Sequence, residues 1–370
     1  MKIIGVVGAR PNFIKMAAVL SAIDSFNQKE KGPPISKILV HTGQHYDEKL
    51  SDIFFRVLQI PSPDINLGIG SGSHAWQTAE IMRKFEPVLT EHRPDLVIVV
   101  GDVNSTISCA LVASKLGIKV AHVEAGLRSF DRTMPEEINR ILTDAISDFL
   151  FTSERDAERN LLREGISKDK IHFVGNTMID TLIKHKTNAD KSNILSQIGC
   201  KEREYAVLTL HRPSNVDNLS SLRGILEALN EISKRTMIVF PAHPRTKKEI
   251  KRNGITLDKK IILCEPVGYL DFIKLISNSK FVLTDSGGIQ EETTVLGVPC
   301  LTIRENTERP VTVTQGTNIL VGTNRERIVK GSLTILNGAV REHKLPELWD
   351  GKAADRVIDV IAQFFLHKSS

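Results

Sequence analysis

Asp102, Glu124 and Glu136 are the carboxylates whose positions suit proton transfer. They lie in Gly101-Asp102-Val103-Asn104-Ser105-Thr106, His122-Val123-Glu124-Ala125-Gly126-Leu127-Arg128-Ser129 and Pro135-Glu136-Glu137-Ile138-Asn139-Arg140. Taken singly, such residues have ordinary uses, because an Asp caps a helix and acids in a first turn complement its dipole. Asn104, Ser105 and Thr106 are also available as caps, which leaves Asp102 free. A Glu at the end of a buried strand is costly unless it is paired or used. Three carboxylates converging on one sheet edge suit general acid/base work. A second kind of chemistry is written in Thr284-Asp285-Ser286-Gly287-Gly288-Ile289-Gln290-Glu291-Glu292. There a strand runs into a Gly pair and a helix, so the backbone comes close to a ligand and the first helical N–H groups attract phosphate. Glu291 and Glu292 repel phosphate if aimed at it, so one of them accepts bonds from ribose hydroxyls instead. Cations that suit a diphosphate follow other strands: Arg10 and Lys15, then His211-Arg212, then Arg304 and Arg309. The sum is a diphosphate-and-sugar site. Gly8-Ala9-Arg10-Pro11 stands where a dinucleotide fingerprint would need GxGxxG. His243 reads as an ordinary loop histidine, and the basic run Arg245–Arg252 as a solvated helix face.

The elements that must position these residues are short apolar runs alternating with amphipathic stretches. Strands are predicted at Ile3–Val7, Ser36–His41, Leu96–Val100, Lys119–Val123, Phe149–Thr152 and Ile171–Val174. Further strands are predicted at Tyr205–Leu210, Met237–Phe240, Ile261–Leu263, Phe281–Leu283 and Pro299–Thr302. They are apolar throughout rather than alternating, as strands covered on both faces of a parallel sheet must be. Helical patterns lie between them, including Ile14–Asp24, His74–His92, Thr106–Leu116, Pro135–Ser147 and Asn218–Ser233. Strand then helix, repeated, predicts a doubly wound α/β architecture, with ligands at the carboxyl ends of the strands. The polar stretch Asp180–Glu204 breaks the pattern and reads as a domain junction, giving domains 1–180 and 181–350 that face a central cleft.

Composition narrows the possibilities. The chain has 370 residues, 41% of them hydrophobic and 25% charged, with a net charge of +5. That excludes wholesale disorder and does not argue for nucleic acid. With 3 Tyr and 2 Trp, base stacking is poorly supplied. No apolar run approaches the ~20 residues of a bilayer helix, so no membrane partner is expected. Cys109, Cys200, Cys264 and Cys300 are scattered without a CxxC pair, as reduced thiols of a cytoplasmic protein with no metal site.

These motifs, in this order, resemble the non-hydrolysing UDP-N-acetylglucosamine (UDP-GlcNAc) 2-epimerases. The likeness runs from Gly8-Ala9-Arg10-Pro11 to about Gly322 and adds His41-Thr42-Gly43-Gln44-His45-Tyr46, Gly175-Asn176-Thr177 and Thr307-Glu308-Arg309-Pro310 to the segments above. It implies a GT-B-like fold of two Rossmann-like domains, with a C-terminal helix in 351–370, around Val357–Leu366, crossing back onto the first. It implies a homodimer acting on a UDP-sugar without cofactor. By motif, Arg10, Lys15, Asp102, Glu124, Glu136 and His211 form the active-site group. Phe272, Ser286, Gly287, Gly288, Glu292 and Arg309 line the nucleotide site, with Glu292 on the ribose and Arg212 a further cation for the diphosphate. The implied reaction interconverts UDP-GlcNAc and UDP-N-acetylmannosamine (UDP-ManNAc) by elimination of UDP and re-addition. Two departures stand out. His211-Arg212-Pro213-Ser214-Asn215 replaces a His-Arg-Arg-Glu-Asn pattern, and Val311 follows Pro310 where Glu is common. Gly68–Ser73 also lacks the Arg with which some bacterial members bind an activating second UDP-GlcNAc. A 2-epimerase of a related UDP-acetamido sugar, a hydrolysing epimerase, a GT-B glycosyltransferase and a nucleotide-sugar sensor are the competing readings.

Overall fold

Leu96-Val97-Ile98-Val99-Val100 is apolar at every position, and in the computed structural model all five residues are buried in the middle of a parallel sheet. Burial on both faces is the physical reason these runs do not alternate. The structure describes residues 1–44, 60–339 and 341–368. The chain divides into two compact units: Met1–Lys184 with Glu347–Ser370, and His185–Pro346.

The first unit holds strands β1 (Lys2–Val7), β2 (Ser36–His41), β3 (Ile65–Asn66), β4 (Leu96–Val100), β5 (Lys119–Val123), β6 (Phe149–Thr152) and β7 (Ile171–Phe173). They are parallel in the order β3-β2-β1-β4-β5-β6-β7. Its helices are α1 (Arg10–Gln28), α2 (His74–His92), α3 (Asn104–Lys115), α4 (Pro135–Ile146), α5 (Arg155–Arg163) and α6 (Thr177–Ala189), the last running on past Lys184. The strand order reverses between β1 and β4, so the loops after β1, β4 and β5 share one edge at a topological switch point. One face of the sheet is covered by Ile81, Phe85 and Leu89 of α2 and Cys109, Ala110 and Ala113 of α3, packed on Ile4, Val97, Val99 and Val120.

The second unit holds β8 (Tyr205–Thr209), β9 (Met237–Pro241), β10 (Ile261–Cys264), β11 (Phe281–Thr284), β12 (Cys300–Thr302) and β13 (Asn318–Leu320), all parallel in the order β10-β9-β8-β11-β12-β13. Its helices are α7 (Ile194–Ile198), α8 (Pro213–Val216), α9 (Leu219–Ile232), α10 (Pro244–Arg252), α11 (Tyr269–Ser277), α12 (Gly287–Leu296), α13 (Pro310–Thr314) and α14 (Arg325–Leu336). The switch point here lies between β8 and β11, beside the loops that carry His211 and Ser286.

The C-terminal helix α15 (Ala353–Lys368) belongs to the first unit. The buried Asp180 carboxylate accepts the N–H groups of Ala353 (3.1 Å) and Ala354 (2.7 Å) and so caps its start. Phe364 meets Phe149 edge-on at 4.9 Å, and Lys31 of the α1–β2 loop pairs with Asp359 at 3.1 Å.

Three features differ from the sequence reading. β3 has only two residues and β13 three, too short to carry a pattern. The stretch read as a junction begins inside α6, whose buried side includes Thr181 and His185, polar residues at helical spacing that disguised its periodicity. α1 begins at Arg10 rather than Ile14. Pro11 fits its first turn, and the Asn12 side chain accepts the Ala9 N–H at 3.0 Å.

Candidate active site

In the first unit, Lys15 of α1 and Glu124 at the end of β5 form an ion pair, with both side chains less than a tenth exposed. Glu124 has φ 74°, a left-handed backbone that costs a non-glycine residue about 1–3 kcal/mol unless its surroundings enforce it. Its N–H donates to Phe151 O at 3.0 Å, and that of Ala125 does the same at 3.0 Å. Gly101 has φ 68°, and a Cβ there would lie 3.2 Å from Lys15 Nζ and 3.7 Å from Glu124 Oε2. A left-handed glycine thus lets the turn that carries Asp102 pass directly over the Lys15–Glu124 pair.

Asp102 is paired with Arg140, which is almost wholly buried on α4. The Asn139 side chain donates to the Asp102 carbonyl at 2.9 Å. Arg140 also holds Glu137 at 2.6 Å. Glu137 is 1% exposed and accepts the N–H groups of Ser129 and Phe130, each at 2.9 Å. Burial pushes the Glu137 carboxyl up, but these bonds and the guanidinium outweigh it and hold the group below its usual range. Glu136, one residue earlier in the same helical turn, is partly exposed and makes no hydrogen bond or ion pair among the described residues. The two first-turn acids have therefore divided: Glu137 braces the helix start, and Glu136 stays available. Arg10 is the first residue of α1, and its side chain lies outside the described part of the structure, as do His45 and Tyr46.

In the second unit, Asp285 follows β11 and is fully buried. It accepts the backbone N–H of His211 (3.1 Å) and of Arg212 (3.0 Å), the Asn215 side chain (3.1 Å) and the His211 imidazole Nδ1 (2.8 Å). Burial raises Asp285, but His211 and the backbone amides overcome it and hold the carboxyl low. The His211 ring, more than half exposed, is thus oriented through Nδ1 and presents Nε2 outward. Pro213, where the resembled family has Arg, opens the single turn α8, and Asn215 remains tied to Asp285 and to Ile303 O at 3.1 Å.

Ser286 precedes α12, and its own N–H is taken by Thr284 Oγ1 at 3.0 Å. Gly287 and Gly288 form the first turn of the helix. A Cβ on Gly287 would strike the Arg309 guanidinium and Glu308. Arg309 is buried between Glu291 (2.7 Å) and Glu308 (2.5 Å). Glu308 is shared with Arg304 at 2.6 Å and with Arg212 at 3.7 Å. Burial opposes its charge, but the three arginines hold the Glu308 carboxyl well below the usual range. Glu292 is the contrast: burial first, then neighbouring Glu291, push it up to about 8, only partly offset by the Tyr269 hydroxyl. Phe272 on α11 is partly buried against the apolar cluster that includes Leu275, Ile276 and Val282.

Within the first unit the structure brings together Lys15, Asp102 and Glu124. Within the second it gathers His211, Arg212, Ser286, Gly287 and Arg309. The partners Arg140, Asp285 and Glu308 had no assigned role in the sequence reading. A signal existed for Arg140, which lies one helical turn beyond Glu137, and none for its bond to Asp102, 38 residues away. Among the described residues, no three His, Cys, Asp or Glu side chains are grouped to hold a metal ion.

Two doubly wound units with carboxylates at one switch point and a glycine-opened helix at the other define a GT-B-like α/β protein. The crystal structure of Methanocaldococcus jannaschii UDP-GlcNAc 2-epimerase in complex with UDP-GlcNAc and UDP matches at TM-score 0.90 and 45% identity, covering 98% of this chain and 100% of that one. The curated UDP-N-acetylglucosamine 2-epimerase of the same organism is 46% identical over 370 residues, 98% of this chain and 99% of that protein. The UDP-2,3-diacetamido-2,3-dideoxy-D-glucuronate 2-epimerase of Pseudomonas aeruginosa is 44% identical over 368 residues, 98% of this chain and 100% of that protein. The family model described as UDP-N-acetylglucosamine 2-epimerase matches residues 27–362. The chain belongs to the UDP-N-acetylglucosamine 2-epimerase family and, as a member, epimerises a UDP-sugar. No helix among the described residues is long and apolar enough to cross a membrane.

Proposed function

We propose that the chain interconverts UDP-GlcNAc and UDP-ManNAc without net hydrolysis. One carboxylate takes the proton from C2. The C–H electron pair becomes the C1=C2 double bond of 2-acetamidoglucal, and the C1–O bond breaks with its electrons leaving on UDP. A proton then returns to C2 from the opposite face as UDP adds back to C1. Asp102 and Glu136 share the two faces. The observation that carries this reading is their asymmetry: one is clamped by Arg140 and the other is unpaired among the described residues, at the same edge of one sheet. Glu124 binds sugar through its tie to Lys15, and His211, steadied by Asp285, assists the departing UDP. The C2 proton is not beside a carbonyl, so departure of UDP supplies most of the activation. Arg10, Lys15, Arg212 and Arg309, with the Ser286 hydroxyl and the amides of Gly287 and Gly288, meet the diphosphate, Glu292 the ribose and Phe272 the base. The protein works as a homodimer with no metal or other cofactor, as its resemblance implies, and in the cytoplasm, as its scattered cysteines suggest.

Turnover of UDP-GlcNAc in D₂O tests this reading. Solvent deuterium at C2 of UDP-ManNAc is the expected product by proton NMR; a C2 proton retained from substrate rules the elimination out. The 44% identity to the P. aeruginosa enzyme favours a second reading, a related UDP-acetamido sugar as the preferred substrate. Comparing kcat/KM for UDP-GlcNAc and a UDP-diacetamido uronate decides between them.

A further inference from the structure

We propose that His122 is a positioning residue for the epimerisation: by donating from both ring nitrogens it ties the turn carrying Asp102 to the turn carrying Glu124. The inference rests on the function proposed above. His122 lies within β5, has no exposed surface and touches no candidate substrate group. Its Nε2 is 2.8 Å from the Gly101 carbonyl, immediately before Asp102. A carbonyl oxygen can only accept, so Nε2 carries a hydrogen. Its Nδ1 is 2.6 Å from Asp144 Oδ1.

Asp144 Oδ2 accepts the Gly126 N–H at 3.0 Å and the Arg128 guanidinium at 2.7 Å; burial pushes its carboxyl up, but His122 and Arg128 outweigh it and hold the group below its usual range, as a carboxylate. Nδ1 therefore donates as well, and the assigned form is the imidazolium. The charged groups facing it are Asp144 from α4, Arg128 from the loop after β5 and, behind Arg128 at 2.6 Å, Glu164 at the end of α5. Two positive and two negative charges close the chain, which is what a buried ion needs.

This chain of bonds holds the backbone at two left-handed positions of the site, Gly101 and Gly126 (φ 78°). One end holds Gly101 by its carbonyl while the Gly101 N–H donates to Val123 O at 3.1 Å. The other end, through Asp144, holds Gly126, two residues beyond Glu124. Asp102 and Glu124 are thus set against each other by a residue that lies on β5, two positions before Glu124, and reacts with nothing.

Imidazole ¹⁵N–¹H correlation spectra of the full-length protein without substrate, recorded from acid to mildly alkaline pH, test the assigned form directly. Both His122 nitrogens should appear protonated and coupled to ring hydrogens; an unprotonated nitrogen at neutral pH overturns the proposal. The kinetic test uses His122→Asn, which keeps a donor toward Asp144, and His122→Gln, which keeps one toward Gly101. Each should bind UDP with unchanged Kd and full stoichiometry by calorimetry. The kcat per UDP-binding site should fall on the order of 10²-fold, as expected for a displaced catalytic group. A kcat per site equal to that of the parent, or a loss that only follows lost binding sites, overturns the positioning role. A parent protein that epimerises no UDP-acetamido sugar overturns the functional reading and the positioning role with it. An active parent with a half-protonated ring overturns the proposal alone.

Discussion

In the proposed reaction Asp102 and Glu136 have related tasks in different surroundings, and substitution can separate the surroundings from the task. Asp102→Asn and Glu136→Gln keep size and shape but cannot take a proton. Each is expected to lower kcat by about 10²–10⁴-fold, the usual contribution of a general acid or base. UDP affinity should stay near that of the parent, because proton transfer is felt only in the transition state. Steady-state epimerisation and UDP calorimetry on the same samples check both halves. Glu137 gives the opposite result. It is buried, ion-paired with Arg140 and bonded to two backbone amides, so Glu137→Ala leaves a buried guanidinium short of a partner. A loss of about 3–5 kcal/mol in urea-denaturation stability is expected, the magnitude typical of breaking such a pair. Two adjacent glutamates in one helical turn thus fail differently, one in rate and one in stability.

Gly287 opens α12 where the Arg309 guanidinium crosses, so added bulk collides with the Arg309–Glu308–Glu291 cluster before it reaches any ligand. Gly287→Val is expected to weaken UDP binding and lower Tm together, read by calorimetry and a thermal melt; unchanged UDP titration removes the loop from the site. The cap of α15 has its own pH signature. Burial first, then Asp350 and Asp355, raise Asp180 from 3.8 to about 6, against the two amide bonds that favour its charge. The folded state then holds the proton more tightly than the unfolded chain. Asp180 therefore contributes a stability loss of about 3 kcal/mol that develops as pH rises from about 4 to about 6. Asp180→Asn should flatten that stretch of the stability–pH curve in denaturant titrations. The elements themselves were largely legible: Ser36–His41, Leu96–Val100 and His74–His92 fall where the apolar pattern places them. Strand-end positions likewise pointed to Asp102, Glu124 and His211. What the pattern could not show were bonds across the sequence, such as Arg140 to Asp102, Asn215 to Asp285 or His122 to Asp144. These depend on which elements the fold makes neighbours, and no local spacing records that. β3 and β13 escaped notice because two or three residues hold no period.

At the scale of the molecule, the proposed function gives diphosphate neutralisation to side chains and helix amides rather than to a bound cation. Full epimerase activity in EDTA is expected; loss on chelation with recovery on adding a divalent ion counts against it. The division of the chain has a further consequence. The second unit is a continuous run, His185–Pro346, whereas the first is made of two pieces, Met1–Lys184 and Glu347–Ser370. Its last piece brings α15, which covers Phe149 with Phe364 and lies against α1. On the ribosome, therefore, the half that emerges first is the half completed last. A nascent chain released just after Pro346 carries every strand of both sheets, yet leaves that face of its oldest part bare to water and to chaperones.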